Sequence, residues 1–218
     1  IINTSGKNDE YIASISHRLP VVLLHRRIDA DCFAGDYVGS DNYLACAHLA
    51  KLAIEAGHRD IGIITSDQSI STFRERTKGF LETAEELGVS IDRQAIVETP
   101  YTEEGGYEAF GRLLAAQPQL SLVVIMNNAT AIGAYWYASE RKLTIPDTVS
   151  ILSFGEILNA NLMFVKPSFM TQQPMEVGEK AAQLILSRLD NPGESWKELV
   201  VEAQFEAGDT LKQILVNK

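Results

Sequence analysis

The chain predicts an α/β fold of doubly wound parallel sheets, on three observations. Residues 20–24 and 122–126 are apolar at every position, the mark of parallel strands covered on both faces. From 39 to 154, strand-like and helix-like stretches alternate, the order that builds such a sheet. At 218 residues the chain exceeds one typical domain and falls short of two independent ones, so one fold with two lobes is expected.

In chain order, Ile1 and Ile2 read as the end of a buried strand, 3–6 as a loop, and 9–17 as a helix with Ile12 and Ile15 inward. The strand at 20–24 ends at His25, Arg26 and Arg27, where a crevice would open; 28–35 is loop and 36–40 a short extended crossing. Asp41 or Asn42 caps the next helix, because a side-chain oxygen there accepts from first-turn amides. Gly57 closes that helix in the left-handed conformation, and Ile61–Thr65 is the following strand. Thr72 and Glu75 have capping-box spacing, starting a helix with Phe80, Leu81, Ala84 and Leu87 on one side and a stop at Gly88. A strand at 95–98, a helix at 103–116 capped near Thr102, and a strand at 122–126 come next. A helix at 129–141, capped by Asn127 or Asn128, and a strand at 149–154 complete the run. Beyond a loop, 169–173 is extended, Pro174 opens a helix to 189 where its missing donor costs nothing, and 196–205 is a late strand.

Apolar residues make up 45% and charged residues 22%, ordinary globular usage. Net charge is −10, whereas a nucleic-acid module shows a basic face, so this stretch by itself is not expected to grip DNA. Cys32 and Cys46 stand in no C-x-x-C or metal-ligand spacing, which gives neither a disulfide framework nor a zinc site and fits a reducing cytoplasm. His17, His48 and His58 share no metal spacing either and read as surface or helix-end histidines. No cofactor is implied, and the longest apolar runs are too short to span a membrane. The first residue is Ile and the chain opens inside a strand, so upstream residues are expected. No G-x-S-x-G, G-x4-G-K-[ST], G-x-G-x-x-G or H-E-x-x-H occurs, and an enzyme is not expected.

In an open α/β sheet the loops at the carboxyl ends of strands form the ligand crevice, which puts 66–76 at a site. Arg76 offers five donors in a rigid fork that can hold two ligand oxygens; the bland alternative is a surface arginine paired with Glu75. Thr72 lies on the same loop, where helix capping explains it equally well. Tyr101 follows a strand end and either stacks on a ligand or packs in the core.

Seven motifs, in order, resemble the effector-binding core of the LacI/GalR family of bacterial transcription regulators. They are Pro20-Val21-Val22 with His25-Arg26; Val38 with Asp41-Asn42; Gly57-His58; Arg76 with Gly79-Phe80; Asn127-Asn128 with Ala131 and Gly133; Ser153-Phe154-Gly155-Glu156; and Met170-Thr171-Gln172-Gln173-Pro174. The resemblance implies a two-lobed, type I periplasmic-binding-protein-like fold with an effector between the lobes. Three crossings would fall near Val38-Gly39, near Gln172-Gln173 and at 205–208. The amino-terminal lobe would be 1–38 plus 174–206, incomplete here, and the other lobe 39–172 plus 207–218. A helix-turn-helix head would lie upstream, so operator DNA would be met only through that head, by a homodimer. The alternative is a periplasmic sugar-binding protein of a transport system.

Carried over residue by residue, the resemblance makes Arg76, Asn127 and Gln173 effector contacts. The alternatives are a helix cap for Asn127 and a hinge residue bonding backbone for Gln173. Gly79 is expected to serve close helix packing and Phe80 the core. Relatives that bind neutral sugars carry carboxylates where this chain has His25 and Gly155, leaving Glu156 as the only carboxylate nearby. The effector is therefore a sugar or sugar-derived molecule, with a sugar acid or sugar phosphate expected.

Overall fold

The computed structural model describes residues 1–4, 6–28, 32–158 and 160–214; Ser5, positions 29–31 of the expected 28–35 loop, and the expected tail at 215–218 lie outside the described residues. The elements are α1 (Asp9–Ser16), β1 (Val22–Leu24), β2 (Asp36–Ser40), α2 (Asn42–Glu55), β3 (Ile61–Thr65), α3 (Ser71–Glu86), β4 (Ile96–Glu98) and α4 (Glu103–Ala116). Then follow β5 (Leu122–Ile125), α5 (Asn128–Glu140), β6 (Ser150–Phe154), β7 (Ser168–Thr171), α6 (Pro174–Asp190), β8 (Glu198–Val201) and β9 (Gln204–Glu206).

Two sheets result. The larger runs β4-β3-β5-β6-β7-β9 and is parallel except for the β7–β9 pair. The smaller runs β1-β2-β8, all parallel, with Ile2 bridged to Leu23 on the outer side of β1. Alternation along the strands fills both faces of the large sheet, as period-2 geometry requires. Ile63, Val124 and Leu152 pack under α2 and α3 with Leu49 and Phe80. Ile64, Val123 and Ile151 pack under α4 and α5 with Phe110 and Ala134. On the small sheet Val22, Val38 and Val201 meet Val177, Ala181 and Leu184 of α6, while Leu23 and Tyr37 meet Ile12 of α1.

Glycines set the helix spacing where it is tightest. A Cβ on Gly79 of α3 would stand 2.2 Å from the Tyr43 carbonyl oxygen of α2, and one on Gly133 of α5 would stand 1.9 Å from the Glu103 oxygen of α4. The packing role expected of Gly79 is thus observed, and Phe80 is fully buried. Asp41, Thr102 and Asn127 cap their helices through side-chain oxygens.

Three expectations are corrected. Thr72 does not cap α3, which begins one residue earlier with Ile70 at the N-cap and no side-chain bond; the preceding 3₁₀-like turn, in which Phe73 N–H bonds to the Ile70 carbonyl, takes the first donors. The strand expected at 196–205 is two strands in two sheets, β8 beside β2 and β9 beside β7. The two strands are separated by only Glu202 and Ala203, so one extended stretch concealed the change of sheet between them. His58 is 1% exposed, not a surface side chain: its Nδ1 meets Ser121 Oγ at 2.8 Å and its Nε2 the Lys212 carbonyl at 3.0 Å, which pins the carboxyl-terminal segment to the sheet. Among the described residues no helix is long and apolar enough to cross a membrane.

Candidate functional site

In the large sheet the chain leaves β3 for β4 on one side and returns to β5 on the other. That reversal opens a crevice at the carboxyl ends of β3 and β5, where α/β sheets bind ligands. A cavity of about 320 Å³ lies there, roofed by the small sheet. Arg76, Thr72, Tyr101, Asn127, Phe154 and Glu156 line it from the large-sheet side, His25 and Arg26 from the small-sheet side, and Gln172, the residue after β7, at the crossing between them. Two bonds tie the opposing loops beside it, from Ser40 Oγ to the Gln172 carbonyl at 3.2 Å and from Arg27 N–H to Ser71 Oγ at 3.1 Å.

Arg76 is 6% exposed. Its Nε donates to Asn42 Oδ1 and its Nη1 to the Met126 carbonyl, each at 2.8 Å, and its guanidinium carbon lies 3.8 Å from the centre of the Phe154 ring. The ring face favours a cation, yet no carboxylate touches the group, so Glu75 is not its partner. Burial pulls its pKa down to about 10, which leaves it charged at neutral pH. Among the described residues Nη2 makes no hydrogen bond.

His25 sits in a left-handed backbone conformation, φ 57°, uncommon for a residue with a Cβ. The conformation is held from two sides: its N–H donates to the Val38 carbonyl at 2.8 Å, and its carbonyl accepts from Tyr37 OH at 3.0 Å. Burial first, then the charges of Arg76 and Arg26, lowers the imidazole pKa to about 4, so the ring is neutral. Gln172 Nε2 lies 3.4 Å from His25 Nδ1. An amide nitrogen only donates, so Nδ1 accepts and the ring proton resides on Nε2.

Asn127 is 2% exposed. Its Oδ1 caps α5 by accepting from Thr130 N–H at 2.8 Å, and its Nδ2 donates to Ser66 Oγ at 3.3 Å. One amide hydrogen therefore remains for a ligand. Asn128 does not cap; it accepts from Tyr101 OH at 2.8 Å and donates to the Glu156 carbonyl at 3.0 Å. The Tyr101 ring is 48% exposed and leans on Phe73 at 5.8 Å between centres, a wall and not a core group. Thr72 is buried at the cavity wall.

Six of the seven residues singled out from sequence thus converge: Arg76, Asn127, His25, Thr72, Tyr101 and Glu156. Gln173 does not. It adopts the left-handed conformation at the start of α6, its N–H turned to Thr171 Oγ1, and it borders a separate depression with Phe169 and Met175. Its neighbour Gln172 faces the cavity instead. Sequence reasoning also passed over Asn42, which positions Arg76, and Phe154, whose place at the end of an apolar strand was the available signal.

Residues 50–211 match the family described as periplasmic binding protein-like domain. The ribose operon repressor of Haemophilus influenzae is 32% identical over 152 residues, 70% of this chain and 46% of that protein. The HTH-type transcriptional repressor PurR of Serratia proteamaculans is 32% identical over 176 residues, 78% of this chain and 50% of that protein. This chain thus spans about half the length of the curated relatives it matches. Among solved structures, a LacI family regulator from Enterococcus faecalis V583 with bound ribose superposes with a TM-score of 0.85 at 21% identity, covering 98% of this chain and 77% of that one; this likeness shows the fold. These relatives are a ribose operon repressor, PurR and a LacI family regulator, in accord with the resemblance to the LacI/GalR family. With most of its length matched, the chain belongs to the periplasmic binding protein-like domain family.

Proposed function

We propose that this chain is the effector-binding core of a LacI-type transcriptional regulator, taking a sugar or sugar-derived molecule, sugar acids and sugar phosphates included, between its two sheets. The observation that carries the reading is the convergence on one cavity of donors from both sides, His25 and Arg26 facing Arg76 and Asn127. A guest held from both sides binds one relative placement of the sheets better than others, and that differential affinity is all an effector needs to shift an equilibrium. We place the lobes at 1–40 plus the α6–β8 segment and at the remainder: Gly39 and Ser40 still pair with β8, which puts the first crossing after Ser40, and Gln204–Glu206 pairs with β7, which puts the third between Glu202 and Ala203. Named relatives are repressors, which favours regulation over catalysis and over transport. Operator binding through a separate head, a cytoplasmic setting and a homodimer follow from that reading, since paired heads read two half-sites. Exposed Trp136, Leu158, Leu162 and Phe164 offer apolar surface for pairing.

Calorimetric titration with D-ribose and other pentoses and hexoses, free and phosphorylated, tests the site. Saturable binding that Asn127→Ala weakens by about tenfold, the loss of one hydrogen bond, is expected. The residues encoded upstream of Ile1 test the role: a helix-turn-helix supports regulation, and a cleavable leader supports the transport protein.

A further inference from the structure

The geometry points to an anionic effector, its carboxylate or phosphate held by Arg76 and Arg26 with the His25 Nε2–H as a third donor. This inference rests on the reading of the cavity as an effector site and names the chemistry that site selects. Its ground is a count of charges that face the cavity. Two guanidiniums line it, Arg76 and Arg26, and one carboxylate, Glu156. Neither guanidinium has its charge answered by the protein. Arg76 bonds to an amide oxygen and a backbone carbonyl, and Arg26 bonds through Nη1 to the Thr4 carbonyl at 2.7 Å. Among the described residues neither forms an ion pair. By contrast Arg188, the other buried arginine, is matched by the Asp36 carboxylate at 2.8 Å.

A buried cation left without a counter-ion is costly unless an incoming group supplies the charge. Nη2 of Arg76 is the donor with nothing to bond, on a side chain more than nine-tenths buried. His25 adds a neutral donor, its tautomer set by Gln172, so it bonds an oxyanion through Nε2–H without taking up a second proton. Gly155 stands beside them with no side chain, so no second carboxylate opposes the guest. Charge-assisted bonds to an oxyanion are roughly twice as strong as neutral ones, and this set offers them from both sides of the cleft.

Titration at pH 7 with matched sets separates the possibilities: D-ribose against D-ribose 5-phosphate, D-glucose against D-gluconate and glucose 6-phosphate, and inorganic phosphate alone. We expect the anionic member of a set to bind about tenfold or more tightly than its neutral partner, the factor one charge-assisted bond supplies. Added salt and Arg26→Gln should each shrink that ratio. Gluconate against the phosphates distinguishes a carboxylate site from a phosphate site. Equal or tighter binding of the neutral sugars overturns the anion inference and leaves the effector site standing. Binding of no sugar and no phosphate overturns both. A preference for anions that survives Arg26→Gln and Arg76→Met undiminished also overturns the inference, because the charge then lies elsewhere.

Discussion

Arg76 Nε donates to Asn42 Oδ1 at 2.8 Å, so the one cation buried at the cavity wall is held by a neutral amide and not by an acid. Asn42 in turn donates to the Ser40 carbonyl and to Glu75 Oε2, both at 3.3 Å. The guanidinium is thereby aimed without being neutralised, the arrangement a binding site needs and a purely structural arginine does not.

Replacing Arg76 by Met separates these roles. Two hydrogen bonds worth about 1 kcal/mol each are lost, against relief of a desolvation cost of several kcal/mol for a buried charge. Stability should therefore change by no more than about 2 kcal/mol, measured by urea denaturation. Affinity for the tightest-binding sugar or sugar phosphate should fall by about 10- to 100-fold. A collapse of the fold with unchanged affinity per folded molecule would mean the arginine is structural.

Much of this architecture could be read in advance. Continuous apolar runs mark strands buried on both faces, and the Asp41, Thr102 and Asn127 caps follow from side chains that can reach first-turn amides. Arg76 was legible because strand-end loops face the crevice whatever the ligand, and Asn127 through its match to the family motif. Gln172 and Gln173 were not separable, because their order in the chain does not tell which one takes the left-handed turn into α6. The β8–β9 break was hidden for a similar reason: pairing partners, not local composition, decide that Val201 joins β2 while Gln204 joins β7. His58 does stand at the end of α2, but its burial was hidden because its partner, the Lys212 carbonyl, lies 154 positions away in sequence.

Stability should depend on His25 with a definite sign. Its folded pKa of about 4 lies below the ordinary 6.5, so between those values the unfolded chain binds more protons and stability rises with pH. The neutral ring's contribution is whole above pH 6.5 and lost as pH falls toward 4. His58, also lowered by burial, acts in the same direction. His25→Asn, which tolerates the left-handed backbone, should lose about 1–3 kcal/mol less than the wild type over that window, the upper figure being reduced by partial exposure of the ring. Denaturant midpoints at pH 7 and pH 4.5 check this; parallel losses in both proteins would remove His25 from the account.

The Asp36–Arg188 pair anchors α6 to the small sheet. Asp36 accepts from Arg188 Nε at 3.1 Å and from Nη2 at 2.8 Å in the interior, and from Lys197 N–H at 2.8 Å at its edge. Asp36→Asn leaves Arg188 buried and unmatched, so a loss of about 3–5 kcal/mol is expected by urea denaturation. Asp36→Leu combined with Arg188→Met should cost less than Asp36→Asn alone, since removing both charges leaves none stranded.

Hydrogen–deuterium exchange with and without saturating D-ribose 5-phosphate tests the central claim most directly, because it reports on both sheets at once. The account predicts slowed exchange at His25–Arg26 on one side and at Thr72–Arg76, Tyr101, Asn127–Asn128 and Gln172 on the other. Slowing confined to one side, or to surfaces away from these loops, would contradict it.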